Sequence, residues 1–279
     1  MDMSGIIRGL QTQAEANYGA ADGDYIGEDG LLYCGKCGTL KQCRVRLPLG
    51  GEWTMTEVSV PCKCKQAEME AAERQRRAEE REMIVGRLYR ASLIAQRDKA
   101  KTFGASVKSG QMAICKGYAQ RFRKMLESGQ GLLLWGETGT GKTHAALCVA
   151  NALLQDCVSV LMVSVPELLR VQTQDWFFER IQRVRLLILD DLGAERGTEY
   201  ATERVYDVVD TRYRAGFPMI CTSNLSIAEM QSAADIRQRR IYERVLETCY
   251  PIQFTGARRR TMAGGRFAKM RSLLDDAQN

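Results

Sequence analysis

The chain has 279 residues, of which 45 % are hydrophobic and 27 % charged, with a formal net charge of +6. That length allows one or two domains and enough apolar surface for a sizeable core, which excludes disorder throughout. No run approaches the ~18 consecutive apolar residues needed to span a bilayer, and the first twenty residues lack a basic stretch followed by an apolar one. A cytoplasmic protein with no membrane partner is therefore expected, and its ten cysteines are expected to be reduced thiols or metal ligands.

Residues 1–30 set one arginine, Arg8, against six carboxylates and read as an acidic N-terminal segment. Five of the ten cysteines follow between positions 34 and 64. Cys34-x-x-Cys37 lies in LLYCGKCGTLKQ and Cys62-x-Cys64 in VSVPCKCKQ, separated by Gly50, Gly51 and the strand-like EWTMTEVSV. Two close pairs of thiolates on tight turns suit tetrahedral Zn²⁺, which would supply folding energy to a module too small for a core of its own. The expected module spans residues 31–66, with Cys34, Cys37, Cys62 and Cys64 as ligands. Cys43 is a fifth candidate, and a redox pair or free thiols are the competing readings.

Residues 65–101 contain no proline and a single glycine, Gly86, and are dense in Glu and Arg, which predicts a long helix. Its polar first half reads as an exposed connector, and Ile84, Val85, Leu88 and Leu93 are expected to begin the part that packs. The helical connector is assigned to residues 67–128.

From about residue 130 apolar runs alternate with helical segments. Gly131–Trp135, Val158–Val163, Leu186–Leu189 and Pro218–Cys221 are the predicted strands; helices are expected over Lys142–Leu154, after Pro166, and over Glu199–Arg214. Strands buried on both faces and separated by helices imply an α/β fold with a parallel sheet.

The first strand runs into Gly136, Glu137, Thr138, Gly139, Thr140, Gly141, Lys142 and Thr143, which fits the G-x-x-x-x-G-K-[ST] phosphate loop in its required strand-to-helix setting. Glycines let backbone N–H groups wrap phosphates without Cβ clashes, and the helix N-terminus adds positive potential. Lys142 is expected at the β- and γ-phosphates and Thr143 on Mg²⁺. The run LLILDD then delivers two carboxylates to the C-terminal end of a buried strand, where α/β ligands bind. Asp190 is expected to hold Mg²⁺ through water and Asp191 to orient or deprotonate the attacking water; a helix cap starting at Asp190 is the alternative. The fourth strand ends in Thr222, Ser223 and Asn224, polar groups placed to meet the γ-phosphate or the lytic water.

In GETGTGKT, LLILDDLG, ICTSNL, RRIYERV and FTGARRR the chain resembles AAA+ ATPases of the bacterial helicase-loader type, the DnaC/DnaI group, and the related IstB transposition helpers. The resemblance runs from roughly residue 130 to 262. It implies a AAA+ P-loop domain over 129–262, ATP hydrolysis with Mg²⁺, and homo-oligomeric rings or spirals on nucleic acid. Residue by residue it gives Gly136, Gly139, Gly141, Lys142 and Thr143 as Walker A, Asp190 and Asp191 as Walker B, and Asn224 as sensor 1. Arg244 becomes the arginine finger entering a neighbour's ATP site, with surface helical arginine as the alternative. Arg260 becomes the terminal sensor, with Arg259 close behind it. Too few residues follow Asn224 for a full lid, in keeping with the reduced lid of the loaders. The segment between the second and third strands is shorter than usual, which puts a normal DNA path in doubt.

Cysteine pairs also occur at the N-terminus of Gram-positive and phage loaders, where that region binds the helicase. The leading expectation is ATP-dependent loading of a hexameric replicative helicase onto single-stranded DNA, with residues 1–100 contacting the helicase. A transposase helper and a non-catalytic ATP-gated adaptor are the alternatives. Residues 263–279 form a basic tail, Cys115, Cys148, Cys157, Cys221 and Cys249 are expected in the core, and no role is assigned to His144, the only histidine.

Overall fold

A computed structural model describes residues 3–49, 52–170, 175–194, 199–256 and 271. It divides into two compact units, residues 1–81 and 82–279. Among the described residues no helix is long and apolar enough to cross a membrane.

The first unit contains α1 (Met3–Tyr18), the short antiparallel pair β1 (Tyr25–Ile26) and β2 (Leu32–Tyr33), and an antiparallel hairpin of β3 (Gln42–Leu49) with β4 (Glu52–Ser59). It also contains most of α2 (Lys63–Ala91). Its buried apolar groups are few: Leu31, Leu32, Cys34 and Cys62. Beside them Lys41 Nζ donates to Asp24 Oδ2 at 2.5 Å and to the Gly19 carbonyl at 2.6 Å. The Lys41 ammonium and the N–H groups of Gly35 and Ala21 hold the Asp24 carboxyl down at about 2. The polar first half of α2 is exposed, as its sequence predicted, and is lined by Arg–Glu pairs four apart such as Arg74–Glu70 and Arg77–Glu73; towards its end Leu88 and Tyr89 are only partly buried against the core.

The second unit runs through α3 (Gly110–Gln120), α4 (Phe122–Ser128), β5 (Gly131–Trp135), α5 (Lys142–Gln155), β6 (Val160–Ser164), α6 (Val165–Leu168) and α7 (Asp175–Arg183). There follow β7 (Leu186–Leu192), α8 (Glu199–Ala215), β8 (Met219–Ser223), α9 (Ile227–Gln231), α10 (Ile236–Thr248) and β9 (Cys249–Gln253). The strands form one parallel sheet in the order β6-β7-β8-β5-β9. Alternate side chains supply two cores. Leu132, Leu134, Ile188, Ile220 and Ile252 pack with α3 and α5, while Leu133, Leu161, Leu187, Leu189 and Cys221 pack with α7, α8 and α10. Burial of both faces is the reason the strands read as unbroken apolar runs.

The structure departs from the sequence expectations at several places. A fifth strand, β9, completes the sheet; its largely exposed side chains and Pro251 disguise it, and it tolerates proline because it lies at the sheet edge. Residues 110–128, counted with the connector, put Met112, Cys115, Tyr118 and Phe122 into the core. Ile84 and Leu93 are exposed; Leu93 takes a left-handed conformation (φ 62°) that turns the chain so that Ile94 enters the core instead. Cys157 is likewise exposed, at a left-handed position just past α5, whereas Cys115, Cys148, Cys221 and Cys249 are buried as expected. The described residues after Asn224 return to the sheet as α9, α10 and β9.

One buried charge ties the second unit together. Arg212 of α8 is fully buried, and its guanidinium donates to the carbonyls of Ile181, Val184, Arg185 and, twice, Pro218, at 2.7 to 3.2 Å. It thereby closes the C-terminal end of α7 onto the entry to β8. Burial pulls the group down to about 9. Arg212→Leu is expected to cost at least about 3 kcal/mol of stability, because several buried carbonyls lose a charged donor. Urea unfolding of the two proteins measures the loss.

Candidate functional site

The loop from Gly136 to Gly141 links β5 to α5, and its backbone explains its glycines. Gly136 (φ 135°) lies so close to the Phe254 carbonyl that a Cβ would sit 2.3 Å from its oxygen. Gly141 caps α5 at φ 103°, a conformation that costs a side-chain-bearing residue dearly. Thr140 Oγ1 donates to the Glu137 carbonyl at 2.9 Å, closing the loop on itself.

Lys142, 5 % exposed, donates through Nζ to the carbonyls of Gly136 and Glu137 and to Asn224 Oδ1, each at 2.8 Å. Burial lowers its pKa, and the charges of Asp191 and Asp190 oppose that shift. Because the ammonium requires an acceptor, Asn224 must direct its oxygen to Lys142, which leaves its amide N–H groups as donors. Thr143 Oγ1 donates to Asp190 Oδ1 at 3.0 Å, and Thr222 Oγ1 donates to the same oxygen at 2.6 Å. Burial raises the Asp190 pKa, with the neighbouring Asp191 charge adding to it, while the two hydroxyls work in the opposite direction.

Asp191 follows at a β-bulge between Leu189 and Leu192, in left-handed backbone (φ 59°). Its N–H donates to Thr222 Oγ1 at 2.9 Å. The bulge turns a second carboxylate toward the loop that regular strand alternation would have sent to the opposite face. Thr222 thus holds both aspartates, accepting from one backbone and donating to the other side chain.

These groups converge on a cavity of about 620 Å³, whose lining includes Thr138, Gly139, Gly141, Lys142, Thr143, Asp190, Asp191 and Asn224. A larger groove of about 750 Å³ at the opposite end of the strands, along Ile114, Tyr118, Leu132 and Tyr250, holds a single carboxylate, Glu247. The chemistry is concentrated at the loop. The donor set there fits a nucleotide with Mg²⁺: backbone N–H groups and Lys142 for phosphate, and the Thr143 hydroxyl beside the Asp190 carboxylate for the metal.

The opposite wall was not anticipated. Lys101, Ala105, Ser106 and Val107 line the cavity. Ser106 Oγ lies 2.8 Å from His144 Nε2, and buried Asn151 of α5 donates to the carbonyls of Asp98 and Lys101 at 2.9 and 2.8 Å while accepting from Tyr89. The one signal for it is a polar Asn, Asn151, in the otherwise apolar stretch of α5 from Ala145 to Leu154.

Arg244 stands on α10, pairs with Asp210 of α8 and lies over the Tyr206 and Tyr213 rings, 4.8 and 5.4 Å from their centroids. Arg259 and Arg260 lie outside the described residues.

In the first unit Cys34, Cys37, Cys62 and Cys64 gather with all four Sγ atoms within 4.8 Å of one another; Cys34–Cys64 is 3.5 Å and Cys62–Cys64 3.2 Å. A Zn–S bond of about 2.3 Å implies tetrahedral S···S edges of about 3.8 Å, so the donor set fits zinc. The Thr39 hydroxyl and backbone N–H groups pull Cys37 down to about 5, whereas the adjacent thiols of Cys62 and Cys34 push Cys64 up. A dication would relieve that crowding of negative charge. Cys43 stands in β3 opposite Val58, outside the cluster.

The parallel sheet, the loop and the aspartate pair at its C-terminal end define an AAA+ P-loop α/β domain. A crystal structure of DnaI superposes with a TM-score of 0.51 at 29 % identity, covering 60 % of this chain and 95 % of that one. A crystal structure of the DnaC helicase loader, at 21 % identity and the same TM-score of 0.51, shares the fold. Residues 66–262 match the family model of the IstB-like ATP binding protein, and the chain belongs to that family. Its curated relatives include the replicative helicase loader DnaI of Bacillus subtilis, 30 % identical over 149 residues (47 % of this chain, 48 % of that protein). The replicative helicase loader DnaC of Escherichia coli K12 is 26 % identical over 104 residues (34 % and 42 %). The chain spans about half the length of the curated relatives it matches.

Freshly prepared protein is expected to carry about one Zn²⁺ per chain, the number that one Cys₄ site holds. Cys37→Ser or Cys62→Ser should lose the metal and unfold the module around it, with the melting of the second unit unchanged. Metal analysis combined with limited proteolysis checks both; full zinc occupancy in these variants would refute the assignment.

Proposed function

We propose that the chain is an ATP-driven loader that places a hexameric replicative helicase on single-stranded DNA in the cytoplasm. The observation that carries this reading is the convergence of Lys142, Thr143, Asp190, Asp191 and Asn224 on one cavity at the phosphate loop. In this reading, N–H groups of the loop residues Gly136, Glu137, Thr138, Gly139, Thr140 and Gly141 surround the β- and γ-phosphates of ATP, and Lys142 neutralises them. Thr143, and Asp190 through water, would hold Mg²⁺, which when bound would offset the phosphate charge. Asp191 orients or deprotonates the attacking water, and the Asn224 amide donates to it or to the γ-phosphate.

Arg244 completes the site of a neighbouring copy. In its own chain it stands four residues before the end of α10, which leads into the start of β9, whereas the phosphate loop follows the far end of the parallel strand β5. Oligomerisation on ATP and DNA is therefore part of the proposal, with Arg260 as terminal sensor. The acidic N-terminal segment and the cysteine module serve as the helicase contact, and the cysteine cluster favours a loader over a transposase helper, whose N-terminal region generally lacks paired cysteines. The proposed domains remain 1–30, 31–66, 67–128, 129–262 and 263–279.

Lys142→Ala should abolish ATP binding and nucleotide-dependent assembly. Asp191→Asn should bind ATP normally yet turn it over at least about 100-fold more slowly, the scale of a lost general base. Steady-state hydrolysis and nucleotide binding measured side by side test the assignment; wild-type turnover by Asp191→Asn would remove Asp191 from it. Affinity purification separates the partners: a co-purifying hexameric helicase supports the loader, and a transposase in its place overturns it.

A further inference from the structure

Arg244 is held by more than its position requires. Asp210 shares its two oxygens between Arg244 and Arg214, whose Nε lies 2.9 Å from Oδ2. The Arg244 guanidinium carbon lies over the Tyr206 and Tyr213 rings, and the Tyr213 hydroxyl is fixed in turn by donating to Glu247 at 3.0 Å. The side chain remains 22 % exposed, at a groove of about 310 Å³ that Arg240 and Glu243 complete.

Joining α8 to α10 does not need this cluster. The two helices already pack through Val205, Val208 and Val209 against Ile241, Tyr242 and Val245, all buried. What the cluster does change is the freedom of Arg244: a free arginine side chain has rotamer entropy that must be given up when it is ordered on the nucleotide.

We propose that Asp210, with the Tyr206 and Tyr213 rings, is the positioning group that presents Arg244 to the nucleotide of a second copy of this chain. The proposal rests on the reading of Arg244 as a residue acting between subunits. Asp210 fixes the guanidinium by one edge and the two rings fix its plane, so that the other edge is aimed outward before the neighbour arrives. Its effect falls on turnover and not on ATP affinity, because the charge Arg244 meets is greatest in the transition state.

The test mixes subunits. Arg244→Ala chains keep an intact phosphate loop, and Lys142→Ala chains keep an intact Arg244, so the mixture should recover hydrolysis that neither protein has alone. Lys142→Ala/Asp210→Asn chains, matched for co-assembly and melting temperature, should restore roughly tenfold less turnover with an unchanged KM for ATP, as expected for a misaligned catalytic group. Asp210→Glu in the same background should recover most of it. Equal restoration with and without Asp210→Asn would overturn the proposal while leaving the role of Arg244 intact. Wild-type turnover by Arg244→Ala protein alone would overturn that underlying reading, and the proposal with it. Should Asp210→Asn chains fail to fold or co-assemble, Tyr206→Leu decides: it keeps the ion pair, and undiminished restoration by it refutes the positioning role.

Discussion

Asp190 carries a carboxylate at the end of a strand whose preceding four residues are buried hydrocarbon. An ionised group there is tolerated only if donors are brought to it. Two threonine hydroxyls do so, and each belongs to a different structural element: Thr143 opens the helix after the phosphate loop and Thr222 lies on the neighbouring strand. Satisfying one carboxylate therefore locks helix α5, strand β7 and strand β8 into a single geometry. The bulge at Asp191 is pinned by the same Thr222 oxygen, so the orientation of the second carboxylate depends on the first. Lys142 extends the network to Asn224 and to the loop carbonyls. Loss of any one member would be felt across the others.

The two units solve their stability differently. The second buries both faces of a five-stranded sheet and can carry a cost such as the fully buried Arg212 because its core is large. The first, among its described residues, has only a handful of buried apolar side chains. Its order rests on the Lys41–Asp24 pair and on four clustered thiols, an arrangement that a small module needs when hydrocarbon alone is insufficient.

Much of the site was legible because its chemistry is compressed into short stretches. The loop and its lysine occupy eight consecutive residues, and Asp190 and Asp191 announce themselves by ending an apolar run. The positions of Cys34, Cys37, Cys62 and Cys64 were legible for the same reason, and their convergence excludes Cys43. What escaped was whatever depends on residues distant in sequence. Asn151 anchors a segment some fifty residues upstream, and Tyr206 and Asp210 meet Arg244 only because α8 and α10 pack together. The strand β9 was hidden for another reason: at the sheet edge three of its five residues are exposed, so it lacks the apolar run that marks the inner strands.

That edge strand also limits how the sheet can grow. Phe254 N–H donates to the Trp135 carbonyl, so by alternation the N–H groups of Ile252 and Tyr250 also face β5, while positions 249, 251 and 253 face outward. Of these, Cys249 N–H is already used to cap α10, the Gln253 carbonyl accepts from Gln111, and Pro251 has no N–H at all. A sixth strand arriving at this border would meet no donor at its centre, a spent N–H at one end and an occupied carbonyl at the other. Lateral accretion by β-pairing, the common route from an open parallel sheet to aggregate, is disfavoured on this side.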